Sequence, residues 1–262
     1  MTESDDTAEL TFLSKLIAPR DEIDIHGICV TNDNVLVCDV NNKRVLRYNL
    51  DGDFQNSCHI DLFPRDVCKI PTLEQVAVTL QESRFSSKPG FIAVIDIHSM
   101  EIVRKGQCEC TPFGISCTKD GYAVGSWNKI ELYDFYFFLL KRIDLPVDNV
   151  AVKALANLSD DNFVYCTSSL NCISSEGIII FHFAVENGKP TGVCKRHETI
   201  FISTTTGHIL KLNKSGEHMK TLINCYECHG RLNYICCSDD NTKIYAATDD
   251  GSSLSVFQLK KC

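Results

Sequence analysis

The chain has 262 residues, a formal net charge of −8 and a hydrophobic fraction of 44%. This length and composition fit one large all-β domain or two small ones, with enough apolar residues for a sizeable core. Because binding to a polyanion requires clustered Lys and Arg, the negative charge disfavours nucleic acid, and we expect no DNA partner.

The first ten residues, MTESDDTAEL, are acidic and polar, and we expect residues 1–10 to be disordered. They lack the basic and apolar regions of a signal peptide. The most apolar runs, Phe135–Leu140 and Ile178–Phe183, are far shorter than the roughly 20 residues that span a bilayer. We therefore expect a cytoplasmic protein with no membrane partner, whose 15 cysteines are reduced thiols.

An aliphatic residue followed closely by a cysteine recurs along the chain at intervals of about forty residues, and a period of this size is typical of repeat architectures. The cysteines of this pattern are Cys29, Cys68, Cys117, Cys194 and Cys236. The gap between the third and fourth sites is twice as long, and the segment around Ala154 fills it without a cysteine. The pattern therefore predicts six repeats.

The first repeat shows the plan of each unit. Turn residues rich in Asn, Asp and Gly separate four short apolar or alternating segments. These predicted strands are Ile25–Val30, Val35–Val40, Arg44–Leu50 and Phe54–Ile60. Four short antiparallel strands per forty residues are typical of one propeller blade.

The second repeat is longer, because Gln81–Pro89 is inserted before the strand Gly90–Asp96. The third and fifth repeats follow the plan of the first. Their predicted strands are Gly114–Cys117, Tyr122–Gly125, Lys129–Asp134 and Leu139–Ile143, then Gly192–Lys195, Thr199–Thr204, His208–Leu212 and His218–Ile223.

The fourth repeat fits the plan least well. Val150–Leu155, Asn162–Thr167 and Ile178–Phe183 are predicted strands, and Ala184–Pro190 is too short for a further strand with its turns. Either this blade has three strands or its partition differs.

The sixth repeat lacks a fourth strand. It contains Tyr234–Cys237, Lys243–Ala247 and Leu254–Gln258, whereas an unassigned apolar segment, Thr11–Ile17, precedes the first repeat. We expect that segment to pair as the outer strand of the last blade, since an open sheet edge would invite aggregation. Residues 11–262 are thus predicted to form a single all-β, six-bladed β-propeller.

The stretch from His26 to Phe54 resembles an NHL repeat along its whole length. The matching residues are Gly27, Ile28, Asp39, Asn42, Arg44, Val45, Asp51, Gly52 and Phe54. The other repeats keep only the opening strand of the motif. The whole is similar to the NHL propeller at the C-terminus of tripartite-motif (TRIM) ubiquitin ligases, although no RING, B-box or coiled-coil pattern is found, so we expect a fragment or a short family member.

This resemblance implies a non-catalytic, monomeric protein-recognition module that recruits substrates for a TRIM-like ubiquitin ligase. RNA binding, known for several NHL propellers, is the alternative. The third alternative is a propeller hydrolase or lyase with a metal ion on the propeller axis.

Six residues directly precede or begin the predicted inner strands and should rim one mouth of the central channel: His26, Arg65, Phe113, Lys153, Thr191 and Asn233. Binding residues collect in such places on a rigid scaffold. Arg65, Phe113 and Lys153 would make this mouth basic and aromatic. The alternative interpretation is a solvated rim without a ligand, and the six residues do not resemble a metal cage.

No catalytic motif is found, and we expect neither enzymatic activity nor a cofactor. Cys225, Cys228 and His229 match a haem-attachment pattern. With Cys236 or Cys237 they would supply four zinc ligands, and otherwise they belong to a loop between blades five and six. Because cysteine behaves as a small hydrophobe, we expect the five recurring cysteines to be buried and unpaired near the axis.

Overall fold

The computed structural model describes residues 10–16, 22–146, 150–186, 188–223, 231–240 and 242–259. In these ranges the chain forms six antiparallel sheets of four strands each. The inner strand of each sheet contacts the inner strand of the next, and the last contacts the first, so the sheets close a ring. The predicted all-β, six-bladed propeller is confirmed.

The first three blades follow the chain in order, each running from the inner strand to the outer strand. Blade 1 contains β2 (Ile25–Val30), β3 (Asn34–Asp39), β4 (Arg44–Asn49) and β5 (Phe54–His59). Blade 2 contains β6 (Phe63–Lys69), β7 (Gln75–Gln81), β8 (Phe91–Asp96) and β9 (Glu101–Gln107). Blade 3 contains β10 (Ile115–Cys117), β11 (Gly121–Gly125), β12 (Lys129–Asp134) and β13 (Leu139–Asp144).

Blades 4 and 5 repeat this order, and blade 6 is completed from the start of the chain. Blade 4 contains β14 (Leu155–Ser159), β15 (Asn162–Cys166), β16 (Leu170–Ser174) and β17 (Ile179–Phe183). Blade 5 contains β18 (Pro190–Arg196), β19 (Thr199–Thr204), β20 (Ile209–Asn213) and β21 (His218–Ile223). Blade 6 contains β22 (Ile235–Cys237), β23 (Lys243–Thr248), β24 (Ser253–Leu259) and β1 (Leu10–Leu16), with one short 3-10 turn, Asp249–Gly251.

The core consists of six apolar layers, one between each pair of neighbouring blades. Because side chains alternate along a strand, a middle strand must be apolar on both faces. In β3, Val35 and Val37 pack toward blade 6, whereas Leu36 and Cys38 pack toward blade 2. Each such fully buried side chain contributes about 1.5–3 kcal/mol, which explains the unbroken valine-rich run in the sequence.

The ring closes as predicted. Strand β1 pairs antiparallel with β24, from Leu10 opposite Leu259 to Leu16 opposite Leu254. The register shifts between Phe12 and Ser14. The N-terminal strand thus becomes the outer strand of the last blade.

Blade 4 corrects the sequence analysis. It has four strands, and the missed one is the third, β16 (Leu170–Ser174). The inner strand begins at Leu155 rather than Val150, and Ala151 forms only an isolated bridge with Trp127. The segment Ala184–Pro190 needs no strand of its own, because the outer strand β17 has already ended.

The insertion predicted at Gln81–Pro89 begins with the last residue of β7 and ends before β8. Within the described residues, no helix is both long enough and apolar enough to cross a membrane.

Candidate functional site

Two adjoining cavities surround one end of the central channel. Arg65 and Phe113 line a cavity of about 310 Å³, and Thr191 and Asn233 line one of about 790 Å³. His26, Lys153 and Tyr234 line both. All six predicted rim residues therefore lie around one opening, which we call the upper mouth.

The backbone explains why the six inner strands bring these residues to one level. A Cβ atom added to Gly27 would lie 2.6 Å from Asp66 Cα in the next blade. One added to Gly192 would lie 3.0 Å from the carbonyl oxygen of Asn233. Glycine is needed where backbones approach this closely. Each rim residue directly precedes the repeat position that Gly27 occupies in blade 1 and Gly192 occupies in blade 5, so the six lie at the same height in the ring.

Arg65 does not have the exposed position that the sequence analysis gave it. It is 8% exposed, and its Nε donates to Gln81 Oε1 at 2.8 Å. Its Nη1 lies 3.1 Å from His26 Nδ1, and its Nη2 donates to the carbonyl oxygen of Arg84. Arg65 thus positions His26 and the insertion between β7 and β8, and it adds positive charge from below the surface.

Exposed aromatic side chains form one wall of the upper mouth. Phe113 and Trp127 pack edge to face with ring centroids 5.4 Å apart, and 45% of Trp127 remains exposed. Phe85 projects from the insertion and is 95% exposed. Trp127 is the only tryptophan of the chain. Phe85 and Trp127 were not among the predicted site residues, although a long insertion beside the rim and a single tryptophan were the available signals.

Cations form another part of the upper mouth. Lys153, Lys189 and Arg231 are exposed and line the larger cavity. Burial and the positive charges of Arg65 and Arg231 lower the pKa of Lys153. The part of this shift that comes from Arg65 and Arg231 reflects their positive potential, which favours an anionic ligand.

Acidic groups are fewer, and one is already paired. Asp24 Oδ2 accepts from Arg84 Nη2 at 2.8 Å, and Asp24 Oδ1 lies 3.3 Å from His26 Nε2. The hydrogen bond with His26 lowers the pKa of Asp24, with further lowering from the charges of His26, Arg84 and Arg65. Asp250 is exposed on the same cavity.

The last two rim residues differ in their roles. The Thr191 hydroxyl donates to the carbonyl oxygen of Leu232 at 2.5 Å and lies 3.1 Å from Ser203 Oγ, so it joins blades 5 and 6. Asn233 donates its backbone N–H to the carbonyl oxygen of Ala247 at 3.0 Å, which leaves its side chain at the cavity wall.

Below the upper mouth lies a chamber of about 380 Å³, which all six inner strands line. Tyr234 lines this chamber and both upper cavities, so it lies between them. Asp66 faces the chamber, and its carboxylate accepts from the N–H groups of Val67 and Ile115, each at 2.9 Å. Burial nevertheless raises the pKa of Asp66 to about 8.

The opposite end of the channel, the lower mouth, is framed by an ion-pair network. Asp239 pairs with Lys69 at 3.0 Å and with Arg196 at 3.1 Å. These residues come from blades 6, 2 and 5. The network therefore links distant parts of the ring at this end.

The five recurring cysteines are free thiols on or beside the chamber wall, as expected for unpaired cysteines near the axis. Their predicted burial is wrong for four of them: Cys29 is buried, whereas Cys68, Cys117, Cys194 and Cys236 are partly exposed. All five pack against the apolar layers between blades, but they lie at the inner edge of the sheets beside the chamber, where four of them remain partly exposed.

Cys225, Cys228 and His229 lie outside the described residues. Among the residues that are described, no three His, Cys, Asp or Glu side chains are placed to hold a metal ion together. The axial-metal alternative therefore gains no support from the rim.

The match to a known family lies in blade 1. Residues 24–48 match the family model of the NHL repeat, and this span covers β2, β3 and most of β4. The chain is a six-bladed β-propeller whose first blade contains an NHL repeat. No curated protein matches the sequence significantly.

The geometry explains the NHL signature in this propeller. Asp39 is fully buried, and its Oδ2 accepts from Arg44 Nε at 2.9 Å and from Asn42 Nδ2 at 2.8 Å. The motif therefore fixes the turn between β3 and β4. It is a structural element of the NHL blade, and it also supports the upper mouth, because Asp39 Oδ1 accepts from the backbone N–H of Asp24 at 3.2 Å.

Proposed function

We propose that this propeller is a non-catalytic recognition module whose upper mouth binds an acidic segment of a partner protein. The observation that carries the proposal is the proximity of exposed aromatic side chains to cations that have no acidic partner among the described residues. In the described part of the chain, Lys153, Lys189 and Arg231 form no ion pair, and Phe85 and Trp127 are exposed beside them.

The cations and the aromatic side chains of the upper mouth would contribute different parts of the binding free energy. Carboxylates of the partner would approach Lys153 and Arg231, and complementary charge chiefly increases the association rate and the specificity. An apolar side chain would cover Phe85 and Trp127, and aromatic residues are frequent hot spots of interfaces. The cavities are large enough for several side chains of an extended segment.

RNA remains the second candidate, because bases could stack on Phe85 and Trp127 while phosphates approach the same cations. Two features favour protein. Asp24 and Asp250 line the same cavity, where they would repel phosphates, and the chain carries a net charge of −8. RNA affinity needs a basic surface that continues over several phosphates.

The resemblance to TRIM proteins extends this proposal. We propose that the propeller recruits substrates in the cytoplasm for a TRIM-like ubiquitin ligase. The expected result is that a partner bound at the upper mouth becomes ubiquitinated only when this mouth is intact. Ubiquitination that is unchanged in a Lys153→Glu variant would contradict the extension, but not the binding proposal.

The binding test uses a displayed peptide library and a fluorescent oligouridine RNA. We expect enrichment of acidic peptides that contain an aromatic or aliphatic residue. Lys153→Glu and Trp127→Ala should each weaken the selected peptides at least tenfold, which is about 1.4 kcal/mol. Lys195→Glu, at an exposed lysine of the lower mouth, is the matched control and should change nothing.

Two outcomes would overturn the proposal. Selected peptides without acidic residues, or with affinities insensitive to Lys153→Glu, would remove the upper mouth as the site. Tighter binding of RNA than of any peptide, with steep salt dependence and loss in the same variants, would establish the second candidate instead.

A further inference from the structure

Two thiols from consecutive blades touch beside the chamber. Cys194 Sγ in β18 lies 3.1 Å from Cys237 Sγ in β22. Both cysteines are free, and both line the chamber. Among the described cysteines, no other two sulfur atoms lie within hydrogen-bonding distance of each other.

Contacts on both sides fix this approach. Two residues after each cysteine, Arg196 Nη1 pairs with Asp239 Oδ1 at 3.1 Å. Two residues before Cys194 and Cys237, a Cβ atom on Gly192 would lie 3.0 Å from the backbone nitrogen of Ile235. The two backbones are therefore held together above and below the thiols, so forming a bond between the sulfurs needs a small movement and no strand rearrangement.

We propose that Cys194 and Cys237 are an oxidation site, at which a hydroperoxide joins blades 5 and 6 by an intramolecular disulfide. Cys194 is partly exposed to the chamber, whereas Cys237 is buried, so Cys194 reacts first. Its sulfur, after losing the thiol proton, attacks one peroxide oxygen to give a sulfenic acid, and the other oxygen leaves as water or an alcohol. The Cys237 sulfur then attacks the sulfenic sulfur, and the hydroxyl group leaves as water with the Cys237 proton. Two thiols lose two electrons, and one peroxide is reduced.

The environment sets the rate of this reaction. The contact with Cys237, together with burial, raises the pKa of Cys194. Because the thiolate is the attacking form, oxidation is slow at neutral pH and accelerates as the pH rises. The bond encloses β19, β20 and β21, so it constrains the unfolded chain across three of the four strands of blade 5.

The test treats the full chain with hydrogen peroxide at several pH values, alkylates the remaining thiols after denaturation, and identifies linked peptides by mass spectrometry. We expect a Cys194–Cys237 link as the main product, reversed by a phosphine reductant. Its rate should rise severalfold from pH 7 to pH 9, and the oxidised protein should have a higher melting temperature. Cys237→Ser should abolish the link, whereas Cys236→Ser, the control at the adjacent cysteine that also lines the chamber, should preserve it.

A second measurement needs no variant. A trivalent arsenical, which bridges two neighbouring thiols, should protect Cys194 and Cys237 together from alkylation in the folded protein. Oxidation that links other cysteines while these two remain alkylatable would overturn the proposal. Loss of the link in Cys236→Ser would assign the site to a different pair and overturn it equally.

Discussion

Asp66 and Tyr234 occupy positions where the inner strands of blades 1, 3 and 5 carry glycine. The space left by Gly27 admits the Asp66 carboxylate, since a Cβ atom there would lie 2.7 Å from Asp66 Oδ1. Two backbone N–H groups partly compensate the carboxylate. Among the described residues, no basic side chain donates to it, so burial dominates and favours the protonated acid.

This raised pKa predicts that stability decreases as the pH rises. The Asp66 pKa is about 8 in the folded chain against an ordinary 3.8. Between these values the folded state holds a proton that the unfolded state has lost, so the stabilisation is complete below about pH 4 and is lost as the pH approaches 8. Between pH 5 and pH 8, we expect the free energy of unfolding of the wild-type protein to fall by about 1–3 kcal/mol more than that of Asp66→Asn.

Urea unfolding at four pH values in this range measures the slope. Asp61→Asn, at an exposed aspartate, should keep the wild-type slope. Equal slopes for wild-type and Asp66→Asn would show that Asp66 is ionised in the folded state and would refute the prediction.

At the residue scale, the sequence predicted which residues lie at the upper mouth more accurately than it predicted their exposure and contacts. The position of Lys153 follows from the repeat period, and the residue lies at the upper mouth with an exposed side chain. Arg65 is enclosed by Gln81, the last residue of β7, and by Arg84, whose position depends on the conformation of the insertion. Phe85 belongs to that same insertion, and no repeat register predicts where an irregular segment places its side chains.

At the element scale, the NHL signature makes the β3–β4 turn of blade 1 depend on one buried ion pair. Asp39 lies opposite Arg44 in the strand register, and the pair is almost completely enclosed. Removing one member of such a pair leaves an uncompensated buried charge, which costs about 3–5 kcal/mol.

We therefore expect Asp39→Ala to destabilise the chain by about 3–5 kcal/mol. Replacing both residues, as in Asp39→Ala with Arg44→Met, should recover part of the loss because no charge remains buried. Asn42→Ala removes hydrogen bonds only and should cost about 1 kcal/mol. Chemical denaturation gives all three values, and a double variant less stable than Asp39→Ala would contradict the ion-pair explanation.

Blade 4 shows why one element escaped the sequence analysis. Strand β16 reads Leu-Asn-Cys-Ile-Ser between serine-rich flanks, which is typical of a loop. In the fold its polar members are satisfied locally: Asn171 Oδ1 lies 2.9 Å from His182 Nδ1, and Asn171 Nδ2 donates to Thr167 Oγ1 at 3.1 Å. These partners come from neighbouring strands and turns, so the sequence of β16 alone does not reveal them. The valine-rich sequence of β3, in contrast, predicts a strand without reference to its neighbours.

At the scale of the whole molecule, the ring depends on the pairing of its two chain ends. Strand β24 has β23 on one side and β1 on the other. Leu10 is buried in the layer between blades 5 and 6, and Phe12 packs edge to face on Phe257 at 5.9 Å. Without β1, the row of backbone N–H and C=O groups along β24 would be open to water or to another chain.

Removal of residues 1–16 should therefore destabilise the propeller, whereas removal of residues 1–9 should not. The longer deletion removes the ladder from Leu10 to Leu16 and the packing of Leu10. We expect it to cost about 3 kcal/mol or more, or a melting temperature lower by roughly 6–12 °C, together with concentration-dependent aggregation through the exposed edge. The shorter deletion is the control, because it keeps β1 and removes only the acidic segment predicted to be disordered. Calorimetry and light scattering on both variants decide the matter. Equal stability would show that β1 does not hold the ring closed, and a loss already present in the shorter deletion would contradict the predicted disorder of residues 1–9, the part of the predicted segment that precedes β1.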